Sequence, residues 1–118
     1  MSTNPYEFRT VPDRKALSVS GEICGKSARR FSADLAREAL LRGRPGGVVH
    51  LDLDELDLLD GAAVAETVNA IREILNARRR LEIYRSPQML AHTLYKTGML
   101  EDGRVTLIDP VEEGSTAN

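Results

Sequence analysis

Residues 58–75 read LLDGAAVAETVNAIREIL. An apolar pair, Leu58-Leu59, meets an Asp60-Gly61 turn, and the turn opens directly into a helical pattern. Val64, Val68, Ile71 and Leu75 fall within about 60° of one another at helical spacing, while Glu66, Asn69, Glu73 and Asn76 face water. Asp60 stands in the N-cap position, where its side chain would accept backbone N–H bonds at the helix start. The rest of the chain reads as support for this turn.

Upstream, residues 48–53 alternate as a strand, with Val49, Leu51 and Leu53 on one side and Val48, His50 and Asp52 on the other. A connecting loop then leads to Leu58. Before the strand, Gly43, Pro45, Gly46 and Gly47 mark a loop that ends a helix. That helix is expected from an N-cap at Ser27 to about Arg42, with Ala28, Phe31, Leu35 and Ala39 on its inner stripe. Leu41 falls on the outer side, where core packing does not account for it. Residues 6–11 and 16–20 alternate as two strands around a Pro12-Asp13 turn and pair as a hairpin, with 21–26 a loop. Downstream, Arg78, Arg79 and Arg80 sit where positive charge offsets a helix dipole. A strand at 81–84 follows, with Leu81 and Ile83 inward. Ser86-Pro87 then starts a helix that turns Leu90 and Leu94 inward and stops at Gly98. A strand at 105–108 ends at Asp109-Pro110.

The order is β-β-α-β-α-β-α-β. A helix between successive strands implies parallel neighbours. A parallel sheet covered on both faces reads as continuous apolar runs. These strands alternate instead, and one face carries Ser18, Ser20, His50, Asp52, Glu82 and Thr106. The expectation is a two-layer α/β domain: a mixed sheet of about five strands with all helices on one face. The domain is placed at 6–109, between a flexible N-terminus at 1–5 and a flexible tail at 110–118.

The 118 residues suit one domain with one core, and 42% apolar with 29% charged residues is the profile of a globular protein. A net charge of −2 argues against non-specific nucleic-acid binding, which needs a cationic excess. Cys24 is the single cysteine, so no internal disulfide forms, in keeping with a reducing cytoplasm. No apolar run approaches the roughly 18 residues of a membrane span, and the first ten residues lack the pattern of a signal peptide.

Candidate chemistry is sparse. Asp52, Asp54, Glu55, Asp57 and Asp60 form an acidic run, read as a solvated loop rather than a set of converging metal ligands. His50 and His92 have no metal-spaced partners and read as surface residues. The glycines of 43–47 do not form a phosphate loop, and no nucleophile motif occurs. No catalytic, cofactor or metal site is expected.

The run VVHLDLDELDLLDGAAVAETV resembles the signature of the STAS domain, the family named for sulfate transporters and anti-sigma factor antagonists. Asp52-Leu53 and Leu58-Leu59-Asp60 match it in type and spacing, and RSPQMLAHTLYKTGML resembles the family's third helix, ending in Gly98-Met99. The resemblance spans about Tyr6 to Asp109. It implies a bacterial protein-interaction module that binds a kinase-like anti-sigma factor or another STAS-type regulator. The charge and the lack of a long apolar run imply neither nucleic-acid binding nor membrane insertion, and an outward Leu41 with a half-wet sheet permits a homodimer. The expected contact residues of the module are Asp60, Gly61, Ala62, Ala63 and Val64. Two departures stand out. Family members that are phosphorylated carry Ser or Thr just after the Asp, where this chain has Gly61 and Ala62, followed by Ala63 in place of the usual Gly. A fourth helix, common in the family, has only 111–118 left to form it. STAS-like accessory subunits of ABC-type transporters and small-molecule sensing are the alternative readings.

Overall fold

The computed structural model describes residues 5–11 and 16–108. The Pro12-Asp13 turn, residues 1–4 and the tail from 109 lie outside the described residues. The element order is β1 (Tyr6–Val11), β2 (Ala16–Ile23), α1 (Gly25–Arg42), β3 (Val48–Asp52), β4 (Leu56–Leu58), α2 (Gly61–Asn76), β5 (Arg80–Tyr84), α3 (Gln88–Lys96) and β6 (Val105–Ile108). The strands form one mixed sheet in the order β1-β2-β3-β5-β6, with β4 paired to β2. β1 and β2 are antiparallel, and the remaining pairs are parallel, as a helix between strands requires.

All three helices lie on one face. The inward side chains Leu17, Val19, Ile23, Val49, Leu51, Leu53, Leu81, Ile83 and Val105 are buried with the helix stripes. Ala28, Phe31, Leu35 and Ala39 supply the stripe of α1, and Val64, Val68, Ile71 and Leu75 that of α2. On the opposite face Ser18, Ser20, His50, Glu82 and Tyr84 are partly exposed, Thr106 is exposed and Asp52 is buried, and among the described residues no second layer covers it. The layer arrangement read from alternation is the observed one.

Three expectations change. The stretch expected as a loop at 21–26 is largely strand and helix: β2 runs on to Ile23, and α1 begins at Gly25. Ser27 is therefore inside α1, and Cys24 occupies the N-cap position without a side-chain cap bond. The connection before Leu58 contains an additional strand, β4, aligned with the far end of β2 through Gly21, Glu22 and Ile23. The cause is legible in the pattern. Inward leucines stand at 51 and 53, then at 56 and 58, so the alternation slips by one residue across Asp54-Glu55. Such a slip is what a bulge produces. Here the Asp52 carboxylate accepts the Asp54 N–H at 3.1 Å, and Leu56 N–H reaches the Leu53 carbonyl at 3.1 Å. Finally, α3 begins one residue later than expected, with Pro87 at its N-cap position and Ser86 Oγ donating to the Pro87 carbonyl.

Gly98, at φ +76°, ends α3 as expected, with Met99 N–H closing on the Leu94 carbonyl. Arg79 meets the end of α2 as expected and reaches further. Its guanidinium donates to the carbonyls of Gly43 and Ala77, tying the loop before β3 to the end of α2.

Gly21 is the tightest point of the sheet. Its φ is +133°, and a Cβ there would lie 2.1 Å from the Pro5 carbonyl oxygen. Gly21→Ala is expected to lower the unfolding free energy by about 1–3 kcal/mol through backbone strain. Urea denaturation would register it as a lower midpoint at unchanged slope.

A candidate interaction site where two helices begin

In a parallel sheet with helices on one face, the helices that follow strands all begin at the same edge. α1 and α2 begin side by side there, and Asp60 lies between them. Its Oδ1 accepts the Ala63 N–H at 2.9 Å, the expected cap of α2. Its Oδ2 accepts the Gly25 N–H at 2.9 Å, the first residue of α1. One carboxylate therefore serves two helix N-termini, each with N–H groups that lack intrahelical partners. The absent local cap at Cys24 is explained: α1 takes its cap from 35 residues further along the chain.

The hydrogen bonds from Ala63 and Gly25, in that order, hold the Asp60 carboxyl below its ordinary value of 3.8, with a smaller contribution from Ala62. Partial desolvation opposes this. The two helix starts are close at Gly25, where a Cβ would stand 3.5 Å from the Ala62 Cβ, ordinary contact that does not itself require glycine.

The expected contact residues divide by exposure. Asp60, Gly61 and Ala62 are exposed. Ala63 at 0% and Val64 at 4% exposure point into the core, where they pack beneath the corner and cannot touch a partner directly. Leu59 belongs to the corner, although its sequence pattern did not single it out as a contact. It is 57% exposed, while its N–H is fixed by the Ile23 carbonyl at 2.8 Å. Gly25 is the second addition. Its signal in the sequence was weak: a glycine heading a helix that has no capping side chain of its own.

Thr67, the nearest hydroxyl along α2, is 0% exposed and donates to the Ala63 carbonyl at 2.8 Å. It offers no accessible acceptor for a phosphate. The acidic run is not one solvated loop. Asp52 is buried, Asp54 pairs with Arg85 at 3.1 Å, Asp57 is exposed on β4, and Asp60 caps. His50 is partly buried beside Glu82 at 3.0 Å and Tyr84 at 3.4 Å, whereas His92 is exposed. Among the described residues, no group of three or more His, Cys, Asp and Glu side chains is placed to hold a metal ion.

The STAS domain family model matches residues 6–113. The chain belongs to the STAS domain family. A solved structure shares its fold: a Thermotoga maritima protein described as a candidate anti-sigma factor antagonist. That structure is 18% identical, covers 95% of this chain and 92% of its own, and superposes with a TM-score of 0.58. No curated protein matches the sequence. No helix among the described residues of this STAS domain is long and apolar enough to cross a membrane.

The cap bonds to Asp60 make a pH prediction. A depressed folded-state pKa contributes stability that is complete above the ordinary aspartate value and disappears as pH falls through the folded value. Asp60→Asn presents an amide N–H to one of the two backbone donors, so one helix end loses its acceptor. The variant is expected to unfold at a lower temperature than wild type at neutral pH. The gap should narrow below pH 3.8 as the wild-type carboxylate takes up its proton. Thermal melts across that range, followed by circular dichroism, would measure both.

Proposed function

We propose that this STAS domain is a non-enzymatic interaction module of bacterial signalling, of the anti-sigma factor antagonist kind. Its partner docks on the Asp60 corner and the exposed start of α2. The single observation behind this reading is the corner itself: Leu59, Gly61 and Ala62 exposed on a frame that Asp60 fixes from both sides. Small side chains let a partner approach the backbone closely, and the doubly bonded carboxylate keeps the surface rigid. A preorganised surface loses little freedom on binding.

The partner in this reading is a kinase-like anti-sigma factor or another STAS-type regulator. Binding sequesters it and releases whatever it was holding. A phosphate would add roughly −1.5 to −2 charge and break such a contact. Gly61 and Ala62 carry no hydroxyl, and Thr67 is buried, so the corner has no such switch. Abundance then sets the outcome, and the module acts in the cytoplasm.

The test uses the purified chain as bait in an extract of its own cells. Ala62→Asp places a charge on the contact and is expected to weaken retention of the kinase-like partner at least tenfold, about 1.4 kcal/mol. Gly61→Ser, at a position where a Cβ would meet nothing within 4 Å, is expected to retain it and, given ATP, to become phosphorylated at the new hydroxyl. Undiminished binding by Ala62→Asp would remove the corner from the interface. Recovery of transporter subunits would move the domain to the accessory-subunit role.

A further inference from the structure

The charge of this chain is unevenly placed. α1 carries five basic residues, Lys26, Arg29, Arg30, Arg37 and Arg42, against Asp34 and Glu38. That is +3 on one helix in a chain whose net charge is −2, so the remainder carries −5. The two signs are also sorted around the helix. At helical spacing Lys26, Arg29, Arg30, Ala33, Arg37 and Leu41 fall within about 120° of arc, and no acidic residue shares it. Asp34 and Glu38 lie on the flank toward β1. There Tyr6 donates to Asp34 at 2.6 Å, and Glu38 pairs with Arg42, which also reaches Thr10.

The stripe is exposed. Arg30 and Arg37 side chains are 75% and 67% exposed, although both lean toward Asp34, at 4.0 and 3.0 Å. Among the described residues Lys26 and Arg29, both exposed, form no ion pair. Leu41, which the core does not use, is 73% exposed and closes the stripe about 22 Å from Lys26.

Folding does not account for this arrangement. Lys26 sits in the first turn, where the helix dipole favours anions, and α1 has no acidic residue there. Lys26 and Arg30 are four residues apart with like charge, which weakens a helix. The stripe also begins at the candidate site, because Gly25, immediately before Lys26, is the residue bonded to Asp60.

We propose that the outer face of α1 continues the docking surface, and that the partner presents an acidic protein face to it. Lys26 and Arg29 meet carboxylates next to the corner, Arg30 and Arg37 extend the contact, and Leu41 supplies an apolar end. The identity of the occupant follows from charge complementarity. A nucleic acid fits poorly against a chain of net charge −2. A membrane-surface helix needs an apolar face beside its basic one, and here that face is buried in the core. This proposal rests on the docking reading for the existence of a partner and adds its chemistry.

The experiment takes the protein retained by the wild-type chain, identifies and purifies it, and measures its Kd for three forms of this chain. They are wild type, Ala62→Asp and the double reversal Lys26→Glu/Arg29→Glu. Measurements run from about 0.05 to about 0.5 M salt, over which exposed charges become screened. Wild-type affinity is expected to fall at least ~tenfold across that range, and the double reversal to lose at least ~tenfold at low salt along with most of the salt dependence. Its melting temperature is expected to equal or exceed wild type, because glutamates suit a helix N-terminus. Reversing a facing carboxylate cluster on the partner to arginine should restore the double variant.

Affinity of the double reversal within about twofold of wild type would overturn the stripe. If Ala62→Asp were defective in that case, the corner would still stand. A defective double reversal beside an intact Ala62→Asp would support the stripe and remove the corner. Loss of binding to phosphatidylglycerol vesicles on reversal, with no protein affected, would replace the acidic protein with a lipid surface and overturn the proposal. If neither substitution changes binding of any protein, both readings fall.

Discussion

The Asp60 carboxylate lies between two helices that begin at the same edge of the sheet, and it answers one N–H from each. A helix start carries several donors without partners and a partial positive charge, so it needs an acceptor nearby. α2 finds that acceptor in its own N-cap residue. α1 has Cys24 at the equivalent position, which supplies none, and it borrows the second oxygen of Asp60 instead. The orientation of the corner depends on this sharing. If Asp60 bonded only to α2, the start of α1 would be held by packing alone, and Gly25 would not be fixed beside Ala62.

The sheet makes the sharing possible. β2 and β4 run parallel as neighbours, and α1 leaves the end of one while α2 leaves the end of the other. The extension of β2 through Gly21 to Ile23 and the slip at Asp54-Glu55 bring these two exits side by side. Gly21 permits the approach of β1, since its positive φ and the nearby Pro5 carbonyl leave no room for a side chain. A small set of local backbone decisions thus sets the geometry of a surface several elements away.

The surface at the corner follows the same division between interior and exterior. Ala63 and Val64 carry the corner from below and belong to the core, while Gly61 and Ala62 are its outside. Of the aliphatic pair ahead of Asp60, Leu58 is buried and Leu59 is exposed. Helical spacing sorts the charge on α1, and the fold shows what holds the acidic side: Asp34 and Glu38 face β1 through Tyr6, Arg42 and Thr10, while the basic side faces solvent.

The sequence by itself determined the two-layer architecture, the inward stripes of the helices and the capping of α2 by Asp60. Each depends on contacts between residues close in the chain, or on a period that side-chain burial imposes directly. Tertiary structure decided the rest. The cap of α1 comes from a residue 35 positions later, which no local pattern encodes. β4 has only 3 residues and exists because β2 offers a free edge beside it. The exposure of Leu59 and the burial of Ala63 and Thr67, neither of which the stripe of α2 had claimed, follow from how closely the two helix ends approach. Spacing along one helix fixes which residues share a face. The neighbour that arrives across space fixes which face is covered.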